Sequence, residues 1–238
     1  MATNGARAKD GDGPRTRGGW TPAGTAAARR AARPDRATPR GDRTREELVE
    51  AARRVFERHG FVHVRVADIV TEAGVSHGTF YTYFESKIAV FVEVANSVER
   101  GLNEALARPD DSSSQSAAES LKQSHERFFE YYALNGAILA LIEQVANLDP
   151  KFEAMRRRRR QIHVERVATT IKRWQAGGLA ESKLDPYACA TALVSMRSNL
   201  AAWLFEGDEN LELELAIDTL TQIWLRAVGL AQAPTAGR

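Results

Sequence analysis

A glycine set between two short helical segments constrains this chain more than any other feature. Within residues 61–91, Val66, Ile69, Val70 and Ala73 recur at helical spacing, which predicts a brief amphipathic helix ending near Ala73. Gly74 follows, at the position where a residue able to take positive φ closes a helix. Ser76 then stands where an N-cap is wanted, and a second short helix follows to Phe84. Two brief helices joined by a glycine turn form a helix-turn-helix, a motif whose second helix enters the DNA major groove.

The second segment carries suitable chemistry for that groove. Phe80 and Phe84, four residues apart, turn inward as braces. His77, Thr79, Tyr81 and Thr82 are left outward, and each can hydrogen-bond to a base edge or a phosphate. Tyr83 adds an aromatic ring at the end. Gly78 costs helix stability, roughly 1 kcal/mol against Ala, and is expected to let the backbone approach DNA closely. Lys87 opens the next helix, where its ammonium is expected to meet a phosphate. The alternative is an ordinary turn between two small helices of a helical protein.

The run Ala73-Gly-Val-Ser-His-Gly-Thr-Phe-Tyr-Thr-Tyr-Phe-Glu-Ser-Lys87, with Asp68-Ile69-Val70 before it, closely resembles the DNA-binding signature of the TetR family of bacterial transcriptional regulators. The likeness covers roughly residues 43–91. It implies an all-α protein with a three-helix DNA-binding unit, a larger helical effector-binding and dimerisation domain, and a palindromic operator. Two departures stand out. Val64-Arg65 replaces a usual Thr-Thr, so the hydroxyl cap is missing and Arg65 is expected to hold a phosphate instead. Ile88 stands at a commonly acidic position. The residues expected at DNA are Arg43, Arg45, Arg65, Ser76, His77, Gly78, Thr79, Tyr81, Thr82, Tyr83 and Lys87.

Composition narrows the class. At 238 residues with 43% hydrophobic and 27% charged side chains, the chain can bury a sizeable core. No apolar run approaches the ~20 residues that span a bilayer. Cys189 is the only cysteine, which removes internal disulfides and cysteine-based zinc sites and suits a reducing cytoplasm. The net charge of +2 conceals an asymmetry: residues 1–43 hold ten basic and four acidic residues (+6), leaving 23 basic and 27 acidic (−4) in the remainder. Affinity for DNA must therefore come from local placement of charge.

Four segments are expected: a disordered basic arm (1–42), the helix-turn-helix unit (43–88), a helical second domain (89–230) and a flexible tail (231–238). The arm is too poor in apolar side chains to offset chain entropy. Its basic residues leave two readings, contact with DNA or simple solubilisation. Thr44-Arg-Glu-Glu47 predicts a capping box opening the first helix, with Leu48, Ala52, Val55 and Phe56 as its stripe and Gly60 as its stop. A longer helix from Ser86 to about Arg108 leaves the DNA-binding unit, and 109–115 reads as a linker. Ser116-Ala-Ala-Glu119 is a second capping box, opening a helix expected to end at Asn135-Gly136 before a buried helix over 137–148. Asp149-Pro150 and Asp185-Pro186 each place an N-cap before a first-turn proline.

The last two helices are apolar on two sides. Leu193, Met196, Leu200, Trp203, Leu204, Leu213, Ile217, Leu220 and Trp224 are expected to form a four-helix interface in a homodimer, which a two-fold operator with half-sites ~34–36 Å apart requires. The five arginines 156–160 lie inside the helix opened by Pro150, and at 100° per residue Arg156, Arg160 and His163 share a stripe with Trp174. One reading pairs them with a carboxylate such as Glu143. The other seats the anionic head of a ligand whose apolar part lies among Phe128, Tyr132, Leu141 and Trp174, with His125 also at the site.

Three functions remain open on the sequence: a ligand-released repressor in the cytoplasm, an activator or architectural DNA-binding factor, and a helical carrier or enzyme with an incidental helix-turn-helix. The histidines are scattered, and GxSxG, HExxH and phosphate-loop patterns are absent. No catalytic residue, metal or cofactor is expected. The expected partners are double-stranded DNA, a second copy of the chain and a small-molecule effector, with no membrane.

Overall fold

The computed structural model describes residues 39–107, 116–206 and 211–230. Residues 1–38 of the basic arm, the 109–115 linker and the tail beyond 230 lie outside the described residues, whereas residues 39–42, expected to be disordered with the arm, belong to the first helix. The fold is all-α: α1 (Pro39–His63), α2 (Val66–Ala73), α3 (His77–Tyr83), α4 (Lys87–Leu106), α5 (Ala117–Leu148), α6 (Pro150–Ala176), α7 (Pro186–Glu206) and α8 (Leu213–Ala227). None of the described helices is long and apolar enough to cross a membrane.

Local chemistry explains most boundaries. Gly74 adopts φ 66°, ψ 30° and closes α2. Ser76 Oγ accepts from the Thr79 N–H at 3.1 Å and opens α3, and Ser86 does the same for α4 through Ala89 at 3.2 Å. Ser116 and Glu119 form the reciprocal box at the start of α5. Asp149 accepts from Lys151 and Phe152 ahead of α6, and Asp185 from Ala188 ahead of α7.

Two boundaries differ from expectation. α1 begins at Pro39, so Thr44 lies inside the helix rather than at its start. The Thr-x-x-Glu spacing is taken over by an i,i+4 pair, Arg43 to Glu47 at 2.9 Å. Gly60, at φ 72° and ψ 165°, does interrupt the helical path, with one further turn beyond it. α5 runs unbroken through Asn135-Gly136 as a single 32-residue helix. Asn135 stays helical because its amide donates to the Tyr131 carbonyl at 2.7 Å and accepts from Arg53 of α1 at 2.7 Å. Its second half is buried on one face only: Ile138, Leu141, Val145 and Ala146 are inside, while Leu148 is exposed.

Two apolar clusters organise the chain. The first gathers α1, α2 and α3, the first half of α4, the second half of α5 and Phe152, so it runs continuously across residue 88. Phe56, Phe61 and Phe91 pack ring to ring at 5.0–5.6 Å within it. The second gathers the first half of α5 with α6, α7 and α8. α4 belongs to both, since Val90 to Val98 lie in the first cluster and Leu102 and Leu106 pack on the second.

Candidate nucleic-acid interface and ligand cavity

α3 is short, exposed and braced from behind. Phe80 and Phe84 are buried while Tyr81 is 53% exposed, and His77 and Gly78 are also open to solvent. Thr79 and Thr82 are half-buried; Thr79 Oγ1 lies 3.0 Å from Ser76 Oγ, and Thr82 donates to the Gly78 carbonyl at 3.0 Å. Tyr83 is half-buried and packs on the first cluster. Among the described residues nothing demands glycine at position 78, because an added Cβ would meet only Ser76 Oγ at 3.6 Å. Arg65 is exposed, and the missing hydroxyl cap is replaced by Asp68, whose carboxylate accepts from the Arg65 N–H at 2.7 Å.

Two of the expected phosphate contacts are engaged within the fold. Lys87 does not point outward. Its ammonium donates to the carbonyls of Phe61 (2.7 Å), Val62 (3.3 Å) and Val64 (2.8 Å). It also lies 4.5 Å from the Phe61 ring centroid, and burial lowers its pKa from the ordinary lysine value. The chain turning past Gly60 leaves those carbonyls without helical partners, and the lysine supplies the donors. Arg45 pairs with Glu93 of α4 at 2.6 Å and lies over the Phe84 ring at 5.4 Å, tying α1 to α4. Arg43 remains on an exposed face beside Glu47.

In the second cluster α4 to α8 line a half-open cavity of about 570 Å³. Its wall includes Asn103, Leu106 and Ala107 from the end of α4, Leu121 and Ser124 from α5, and His163, Val167, Thr170, Ile171 and Trp174 from α6. Leu193 and Arg197 of α7 and Trp224 and Val228 at the far end complete it. Of the residues expected around a ligand, His163 and Trp174 line this space. Arg156 does not; it is paired with Glu143. Arg160 is solvent-exposed. Helical projection puts the stripe on the right side of α6, yet the cavity spans only the turns from 163 to 174. The earlier turns pack on the end of α5 and on α4 through Arg159–Glu99 at 2.8 Å. Leu141 belongs to the first cluster. His125, Phe128 and Tyr132 are buried core and do not line the cavity.

The charge at this cavity belongs to Arg197, which the motif and stripe patterns do not single out. Arg197 is 2% exposed; its Nη2 lies 2.5 Å from His163 Nε2, and its guanidinium sits 4.1 Å from the Phe128 ring centroid. Among the described residues no carboxylate reaches it, and burial lowers its pKa to about 10. Burial, then the Arg197 charge, lowers His163 to about 4, so its Nε2 is an acceptor at neutral pH. A signal exists all the same: Arg197 is the single charged side chain from Pro186 to Phe205.

The expected dimer residues divide. Leu193, Ile217, Leu220 and Trp224 are core, which corrects their assignment to an interface; they supply the intramolecular side of α7 and α8. Leu200 and Leu204 are half-buried. Met196, Trp203 (64% exposed) and Leu213 remain outward, as do Leu211, Leu215 and Ile223 of the same two helices and the turn before α8.

Residues 48–94 match the model of "Bacterial regulatory proteins, tetR family", and residues 121–229 match that of "Transcriptional regulator EthR, C-terminal domain". The HTH-type transcriptional regulator EthR of Mycolicibacterium smegmatis is 25% identical over 193 residues, covering 81% of this chain and 89% of that protein. The uncharacterized regulator YfiR of Bacillus subtilis is 39% identical over 71 residues, 30% of this chain and 33% of its own. Among solved structures, GusR of Salmonella enterica superposes with a TM-score of 0.67 at 18% identity, covering 82% of this chain and all of that one.

Proposed function

This chain belongs to the TetR family of bacterial regulatory proteins, and from that premise we propose a homodimeric repressor released from a palindromic operator by a small lipophilic effector. DNA-binding transcriptional regulation is common to the family. Two copies of α3, presented one duplex turn apart, place His77 and Tyr81 at base edges. Gly78 admits close approach of the backbone. Arg43 and Arg65 meet phosphates, with Ser76, Thr79 and Thr82 at the groove wall and Tyr83 at its edge. The outward apolar face of α7 and α8, centred on Trp203, is where the second copy packs.

One observation carries the switching part. α4 starts at Lys87, three residues after the brace Phe84 of the recognition helix, and its last turn forms a wall of the cavity. A helix of 20 residues is about 30 Å long and stiff, so a displacement at Leu106 is transmitted to the base of α3. An effector that favours mis-spaced recognition helices must bind that state more tightly by several kcal/mol for a full switch, about 5.5 to go from 1:99 to 99:1.

The test is a gel shift with a palindromic duplex selected by the protein itself. Retardation as a two-protomer complex that lipophilic small molecules dissolve supports the repressor. Retardation that no such molecule alters identifies a constitutive DNA-binding factor. No retardation of any selected duplex leaves only the reading of a helical carrier or enzyme with an incidental helix-turn-helix.

A further inference from the structure

The inner wall of the cavity carries hydrogen-bond donors without acceptors. Among the described residues Arg197 Nε is buried and has no hydrogen-bond partner, and the same holds for Trp224 Nε1. The two groups are adjacent, with the guanidinium carbon 5.6 Å from the Trp224 ring, and both residues line the cavity. The other charged residues on the wall, Glu104 and Arg166, lie on exposed turns, and Arg166 already donates to Asn103 Oδ1 at 2.5 Å. A cation sealed from solvent and stacked on Phe128 without a counter-ion is costly unless an anion joins it. Around it the cavity is walled by Leu121, Val167, Ile171 and Leu193.

From this we infer that the cavity takes a monocarboxylate amphiphile, whose carboxylate accepts from the Arg197 guanidinium and from Trp224 Nε1 while its hydrocarbon part lies along the leucine and valine wall. The planar guanidinium fork matches a carboxylate, and a single buried positive charge neutralises one negative charge, which disfavours a phosphate dianion. His163 Nε2, an acceptor towards Arg197 Nη2, holds the fork in place. The volume of about 570 Å³ is that of a small-ligand site. This inference rests on the cavity being the effector site.

Decanoate and decan-1-ol, equal in chain length and differing in charge, separate the two claims by calorimetric titration of the full chain. Decanoate is expected to bind at least about tenfold more tightly than the alcohol, the scale of one charge-assisted hydrogen bond. Arg197→Met should abolish that preference, and Trp224→Phe should reduce it while leaving the guanidinium. Melting curves on both variants confirm folding, and the acid-to-alcohol ratio of the unmodified chain stands without either. Equal binding of alcohol and acid, no binding of decanoate, or a preference that survives Arg197→Met would overturn the inference. Operator release is read separately. Tight decanoate binding that leaves the DNA complex intact supports the carboxylate site and overturns the repressor mechanism. Release by both compounds equally overturns the carboxylate site and leaves the effector reading standing.

Discussion

Replacing Lys87 with Met separates a structural role from a DNA contact at one residue. The ammonium donates to three carbonyls, two of them in part-buried bonds at 2.7 and 2.8 Å. Hydrogen bonds to charged groups contribute roughly 1.5–3 kcal/mol each, but the Val62 carbonyl can turn to water and burial of the ammonium offsets part of the gain. The net loss is about 2–3 kcal/mol, because the methionine still packs on Phe61 but leaves two carbonyls poorly satisfied. For a chain of this size that lowers the melting temperature by about 4–12 °C. A lysine that held a phosphate would behave differently. Its loss would leave melting unchanged and flatten the dependence of log affinity on log salt by about one per protomer. Calorimetric melting and fluorescence anisotropy at several salt concentrations measure both quantities. An unchanged melting temperature with a flattened salt slope would refute the carbonyl cage.

Tyr81→Ala should leave the melting temperature unchanged, since the ring is largely in solvent, and weaken specific DNA binding by about 1–3 kcal/mol; titration of specific against random duplex checks it. Trp203→Glu places a charge in the outward face of α7, and sedimentation equilibrium should show monomers; a dimer of undiminished stability would move the interface elsewhere. Two histidines, His125 buried and His163 half-buried, make stability depend on acid. Burial, then the Arg197 charge, holds His125 near pKa 3 and His163 near 4, both below the unfolded value of 6.5. The unfolded chain therefore takes up these protons first. Stability is fully present above pH 6.5 and falls as pH drops, by up to about tenfold in the folding constant per unit and per histidine, until each folded value is reached. Urea midpoints between pH 7 and pH 4 test this, and a flat profile would contradict it.

Short-range chemistry is the legible part of this chain. Gly74, Ser76, Ser86, Ser116 and Asp149 announce boundaries because each acts on backbone groups within four residues. Thr44 and Asn135-Gly136 carry equally good local signals, yet the helices continue through them. At Asn135 a hydrogen bond from Arg53, 82 residues away, satisfies the amide within the helix. Lys87 misleads for the same reason, since its acceptors lie 23 to 26 residues earlier. Helical projection places His163 and Trp174 correctly but cannot say where along α6 the cavity stops. Arg197 is legible and easily missed: five consecutive arginines draw attention away from one charge set alone in an apolar helix. On α8 the projection finds apolar residues on two sides but does not tell which turn inward: Leu220 and Trp224 fill the core with Ala216 and Leu225, while Leu213 and Leu215 face out.

The central claim is that α3, exposed and duplicated about a two-fold axis, selects DNA. Repeated selection of random duplexes by the full chain, followed by sequencing, addresses it without supplying any operator in advance. The account predicts enrichment of an inverted repeat whose half-site centres lie about 34–36 Å apart or at a multiple of that spacing. That enrichment should vanish when Tyr81 and His77 are both replaced by Ala. Failure to enrich any motif, or enrichment that survives the double replacement, would contradict it.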